Sequence, residues 1–120
     1  EPWLSSGVAL PENPALITVD GNVFILSSKG ILVVYYKGKK TNEIATTISP
    51  DSSSLLLTTA DSPNLHLVNI STGRIYIFAK NSGAVSKTLK INSAQPLSAA
   101  TLSADDAIYI LSDNKIWQVI

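Results

Sequence analysis

The stretch Gly21-Asn22-Val23-Phe24-Ile25-Leu26-Ser27-Ser28-Lys29-Gly30-Ile31-Leu32-Val33-Val34-Tyr35-Tyr36 consists of two apolar runs joined by a polar, glycine-ended tetrapeptide. The runs are rich in β-branched and aromatic residues, which suit a pleated and packed surface. The joining residues have turn chemistry: the serines bond to nearby backbone, and glycine supplies positive φ. The same plan returns at Asn64–Phe78 and at Asp106–Ile120. Asn22, Asn64 and Asp106 open the corresponding runs at steps of about 42 residues, and Gly30, Gly73 and Asn114 close the turns that follow. Short strands recurring at such a period point to the blades of a β-propeller rather than to one sandwich.

Working outward from this stretch, each unit is expected to hold four antiparallel strands. The first strands are read at Ala15–Val19, Ser54–Ala60 and Ala99–Ser103. The outer strands are read at Thr41–Ser49 and Ala84–Asn92, where lysines interrupt the apolar residues. Runs such as Val23–Leu26 are apolar on both faces, as expected for strands packed between two neighbouring sheets. Leu97–Ala104 contains helix formers, but Pro96, Ser98 and Thr101 break it and no apolar stripe extends it, so strand is preferred. The expected architecture is all-β, with about three four-stranded units at 15–49, 54–92 and 97–120. The third stops at Ile120 without its outer strand, which makes a half-propeller. Residues 1–14, with Pro2, Pro11 and Pro14, read as an extended leading segment in which Trp3 covers an edge of the core.

Composition narrows the function classes. Of the 120 residues, 45% are hydrophobic and 15% charged, which is a globular rather than a disordered balance. Nine basic side chains face nine acidic ones, without the basic excess typical of proteins that grip phosphate backbones. Cysteine is absent, which excludes a disulfide scaffold, a thiolate zinc site and a cysteine nucleophile. Methionine is absent too, so the chain reads as trimmed, matured or excised from something longer. No apolar run approaches the ~20 residues that span a bilayer, so this segment is not expected to insert; any anchor would precede Glu1.

Few residues are candidates for chemistry. His66, the sole histidine, sits between Leu65 and Leu67 and is expected to be a partly exposed strand residue rather than a ligand or a base. Asp20, Asp61, Asp105 and Asp106 fall at the turn between the first and second strands of the three units. Repeated acids on one rim could suggest Ca²⁺, but none of these turns alternates several acids as a calcium loop does, so they read as turn formers. Tyr35, Tyr36, Lys37, Lys39 and Lys40 form the one basic and aromatic cluster, on a hairpin whose lysines protect a sheet edge. The Asn69-Ile70-Ser71 sequon is noted without a functional reading. With no phosphate loop and no paired catalytic carboxylates, neither an enzyme nor a cofactor is expected.

Leu65–Gly83 resembles NHL-type propeller repeats through Arg74, Ile75, Phe78 and Gly83, with Asn69-Ile70-Ser71-Thr72-Gly73 in place of that family's Asp-Thr-Gly-Asn-His type of turn. Over nearly its full length the chain is also similar to C-terminal propeller-like segments of uncharacterised bacterial membrane-associated proteins. The matching features are Trp3-Leu4, Asp20–Phe24, Tyr36–Lys39 and Ile108–Lys115. The resemblance implies a non-catalytic interaction module in the soluble part of a membrane-associated or exported protein. Some NHL-type propellers bind RNA on a basic face, which would assign the Lys37–Lys40 hairpin to single-strand binding; the charge balance argues against nucleic acid.

Three blade units cannot close a ring, because propellers typically use 4 to 8 blades. Either the chain is the C-terminal part of a longer propeller, or copies associate so that six blades close across two chains. The leading expectation is binding of a protein partner or of a second copy, as a homodimer that closes six blades. The missing outer strand could then come from Val8-Ala9-Leu10. The alternative is a ligand- or glycan-binding sensor with a pocket in the central channel.

Overall fold

The computed structural model describes residues 15–50, 54–91, 97–102, 107–112 and 115–119. Every regular element among them is a β-strand: β1 Ala15–Val19, β2 Asn22–Leu26, β3 Ile31–Tyr36, β4 Lys39–Ala45, β5 Ser54–Leu57, β6 Asn64–Asn69, β7 Arg74–Ala79, β8 Val85–Lys90, β9 Leu97–Leu102, β10 Ile108–Ser112 and β11 Lys115–Val119. They form three antiparallel meanders in chain order. Two are four-stranded (β1–β4 and β5–β8) and one is three-stranded (β9–β11). We call them blades 1, 2 and 3. Cα atoms of β1 and β5 come within 8 Å, as do those of β5 and β9. The first strands of successive sheets thus lie side by side, the arrangement of propeller blades around an axis.

The tight turns follow from local chemistry. Asp20-Gly21 and Lys37-Gly38 each place two consecutive residues at positive φ (49° and 78°, then 50° and 82°), which is the type I′ geometry of two-residue hairpins. Gly30 and Gly73 have a further reason to be glycine. In blade 1 the chain leaving β4 donates Thr46 N–H to the Gly30 carbonyl at 2.8 Å. In blade 2, Ile91 N–H donates to the Gly73 carbonyl at the same distance. A Cβ at either glycine would lie 2.8 Å from a backbone oxygen, of Ile48 or of Ile91, on a residue already at positive φ. These are matching closures in the two complete blades.

Two apolar interfaces hold the blades together. Phe24, Leu26, Leu32 and Val34 of blade 1 meet Leu56, Leu65, Leu67 and Phe78 of blade 2, with Ala15 and Ile48 completing the cluster. On the opposite face of blade 2, Val68 and Ile75 meet Ile108 and Ile110 of blade 3. Successive strand residues point to opposite faces, so β6 sends Leu65 and Leu67 to one interface and Val68 to the other. Each such fully buried aliphatic side chain contributes about 1.5–3 kcal/mol.

Several expectations need correction. His66 is 2% exposed rather than partly exposed, because β6 lies between two blades and both of its faces are covered. β5 ends at Leu57 rather than Ala60. Beyond it the Thr58 hydroxyl donates to the Asn64 carbonyl at 2.8 Å, and Asn64 N–H donates to the Ser62 hydroxyl at 3.2 Å, so residues 58–63 form an ordered loop. β4 begins two residues earlier than expected and ends at Ala45, because the Lys37-Gly38 turn is tight; β8 is shorter at both ends. β9 starts at Leu97, ahead of the expected Ala99, and it is strand throughout rather than helix.

The register of the third unit is also displaced. Leu65 and Leu67 face the preceding blade, and the residues of blade 3 that do so are Ile108 and Ile110. The step from blade 2 to blade 3 is therefore one residue longer than the step from blade 1 to blade 2, and a one-residue slip exchanges the faces of a strand. The leading segment 1–14, including Trp3 and the strand suggested at Val8–Leu10, lies outside the described residues. So do Asp105, Asp106 and Asn114.

Candidate functional site

The five residues of the Tyr35–Lys40 hairpin do not share a face. Tyr35 pairs with Val23 and Lys40, whereas Tyr36 pairs with Asn22 and Lys39, and neighbouring residues on a strand point oppositely. The Tyr36 ring lies against the Asp20-Gly21 turn, with Lys37 Nζ over it at 5.4 Å from the ring centre. Lys40 Nζ is 3.3 Å from Glu43 Oε1 in an exposed ion pair, an arrangement worth little to stability. Asp20 sits in a two-residue turn and Asp61 in the six-residue loop, both exposed. Among the described residues no three of His, Asp and Glu group closely enough to hold a metal ion.

A concavity among the described residues lies elsewhere. A cleft of about 340 Å³ opens between blades 1 and 2, at the end that carries the Asp20-Gly21 turn, the Lys37-Gly38 turn and the 58–63 loop. Its apolar floor is Phe24 and Val34, and its polar walls are Asp20, Asn22 and Asn42 from blade 1 with Lys80 and Asn81 from blade 2. Lys80 is well anchored. Its ammonium donates to the Thr59 carbonyl at 2.8 Å and stands 5.6 Å from the centre of the Phe24 ring, while its backbone N–H donates to the Pro63 carbonyl at 3.0 Å. A cation over an aromatic face is attracted by the ring quadrupole. This places one positive charge at a defined point on the cleft wall.

A β-bulge shapes the opposite wall. Pairing of β3 with β4 shifts between Val34 and Tyr35, which leaves Thr41 as the extra residue beside Asn42. The Thr41 hydroxyl donates to the Val34 carbonyl at 3.2 Å, across the bulge. Bulges redirect side chains, and this one occurs where Thr41 and Asn42 line the cleft. Blade 2 repeats the device: its β7–β8 register shifts between Ile77 and Phe78, and the Ser86 hydroxyl donates to the Ile77 carbonyl at 3.2 Å.

The hairpin and Asp20 were legible in the sequence as candidates, but Lys80, Asn42 and Asn81 were not. They come from different blades and converge only when the sheets pack. The one local signal was a run of small polar residues, Thr41-Asn42, in a strand otherwise read as merely outer and solvated.

No family model matches the chain, and no curated protein matches it. Among solved structures, one similar chain is the dihydro-heme d1 dehydrogenase NirN in complex with DHE. It is 15% identical, with a TM-score of 0.48 over 90% of this chain, and this chain spans 27% of that chain's length.

Proposed function

We propose that this chain is a non-catalytic interaction module that pairs with a second copy through the outward faces of blades 1 and 3, closing a six-bladed ring. One observation carries the reading: the repeat places core-type residues on those faces. In every blade two residues of the second strand face the preceding sheet and two face the following one. Phe24 and Leu26 of blade 1 face blade 2, and Leu65 and Leu67 of blade 2 receive them. The counterparts left over are Tyr109 and Leu111 on blade 3, and Val23 and Ile25 on blade 1.

Neither hydrophobic cluster includes these four side chains. Leu111 is 40% exposed and Ile116, its cross-strand partner, 77%; together with Thr101 and Tyr109 they border a shallow apolar depression of about 220 Å³. On blade 1, Leu16 is 48% exposed, whereas its cross-strand partner Ile25 is 9% exposed and Val23 is half-buried, so on this face the open apolar surface is chiefly Leu16. Two copies related by a two-fold axis would bring each blade 3 against the other copy's blade 1, repeating the blade 1–blade 2 contact twice. The NHL-type likeness of Leu65–Gly83 fits such a module.

Light scattering of the purified chain at micromolar concentration tests this. Twice the chain mass is expected, reduced to the monomer mass by Leu111→Arg. A monomeric wild-type chain defeats the self-pairing. A ladder of higher masses would show that the contact forms but does not close at six blades.

A further inference from the structure

We infer that the cleft between blades 1 and 2 is a binding site for one neutral saccharide unit, a hexose or the exposed end of a glycan chain. The inference does not depend on self-pairing, because both blades that build the cleft belong to this chain. It differs in place from a central-channel pocket, since the walls are strand ends and turns at the interface of two sheets.

Three features define the ligand class. The first is the donor set. Asn22, Asn42 and Asn81 each carry an amide that both donates and accepts, and Asp20 adds a carboxylate acceptor. Sugar hydroxyls likewise both donate and accept, and neighbouring hydroxyls suit planar amide and carboxylate groups that present two atoms side by side. Existing bonds leave this capacity in place. Asn22 uses its amide nitrogen on the Asp20 carbonyl at 3.5 Å, and Asn42 uses its oxygen to accept Glu43 N–H at 3.0 Å, so the Asn22 oxygen and the Asn42 nitrogen are not engaged by those contacts.

The second feature is charge. The cleft is lined by one acid, Asp20, and one base, Lys80. A balanced lining gives no net attraction to an anion or a cation, so an ionic ligand would lose hydration without an excess of opposite charge to offset the loss. A neutral polar ligand avoids that cost.

The third feature is shape and rigidity. Phe24 and Val34, each 6% exposed, close the bottom of the cleft, and the groups it offers to a ligand are mainly the polar ones around its rim. The volume of about 340 Å³ lies at the small end of ligand pockets, which run from about 300 to 1,000 Å³. Lys80 is fixed by Thr59 and Phe24, and Thr41 by Val34, so the walls need little reordering on binding.

The test is a ¹H–¹⁵N titration of the 120-residue chain with D-glucose, D-galactose and D-mannose at millimolar concentrations, D-glucuronate and D-glucosamine being the charged comparisons. At least one neutral hexose should give saturable shifts concentrated on the Asn22, Asn42 and Asn81 amides, with a dissociation constant on the order of 1 mM. Asn42→Ala, at an exposed strand position, should weaken binding at least about tenfold, whereas Lys29→Ala, in the turn at the other end of blade 1, should leave it unchanged. Thermal melting confirms that each variant is folded; if Asn42→Ala is not, Asn81→Ala serves in its place. Absence of saturable shifts with all three neutral hexoses overturns the inference. So does preferential binding of either charged sugar, or affinity unaltered in a folded cleft variant.

Discussion

The two interfaces of blade 2 are built on one repeat yet differ in content. Toward blade 1 it buries Leu56, Leu65, Leu67 and Phe78 against Phe24, Leu26, Leu32 and Val34. Toward blade 3 the fully enclosed set among the described residues is Val68, Ile75, Ile108 and Ile110, with half-buried side chains such as Leu57, Ile77 and Leu89 around it. The place that Phe24 occupies in blade 1, on the second strand facing the next sheet, is taken in blade 2 by His66. One interface therefore has an aromatic with a cation above it and a polar cleft beside it, while the other has a buried imidazole at the equivalent position. Equivalent positions in a repeat protein share a backbone but are free to divide stability from recognition.

The largest expected effect separates the two interfaces directly. Phe78→Ala, which empties the blade 1–blade 2 cluster, should cost about 3–5 kcal/mol in urea denaturation. Ile110→Ala, in the smaller cluster, should cost about 2–3 kcal/mol. If the second change costs as much as the first, the interfaces are energetically alike and the comparison fails. Loss of a single cooperative transition in either variant would sharpen it by showing that one blade detaches alone.

Next in size are the glycines that close the two complete blades. Gly30→Ala and Gly73→Ala should each lower stability by about 1–3 kcal/mol, since each adds positive-φ strain and places a methyl group 2.8 Å from a backbone oxygen. Similar losses in thermal melts would confirm that the two closures are equivalent. A tolerated Gly73→Ala would instead mean that the chain beyond β8 is held less firmly than the chain beyond β4.

The smallest effects concern the bulges. Thr41→Val and Ser86→Ala each remove one hydroxyl-to-carbonyl bond at a partly exposed edge, and about 0.5–1.5 kcal/mol is expected for each. Only the Thr41 change should also alter hexose affinity, because only that bulge lines the cleft. Equal effects on binding would detach the bulge from the site.

Much of the fold is legible in the order of the amino acids. Asp20-Gly21 announced a hairpin because that pair accepts positive φ at both positions, and Gly30 and Gly73 marked the next turns for a similar reason. The run Val23–Leu26, apolar on both faces, marked an inner strand, and Phe24 and Leu26 pack on blade 2. What misled was His66, whose side chain reads as polar when taken alone, although the strand around it lies between two sheets. The third unit misled through spacing. Asp106 aligned with Asn22 and Asn64 by residue type, but the faces of Ile108 and Ile110 show a step one residue longer. Residue type is a weak guide to register; burial on one side is a strong one.

The candidate site was less legible than the fold, again for a physical reason. Alternation of side chains and turn chemistry are local properties, governed by the backbone within a few residues, so the amino-acid order alone determined strands, hairpins and the repeat of blades. The cleft depends on side chains separated by up to about 60 residues, brought together only when blade 1 packs on blade 2 and the Thr41 bulge turns the edge of β4. No local pattern encodes that meeting of Asn42 with Lys80. It was decided by sheet packing, which also determined which apolar faces were covered and which were left open.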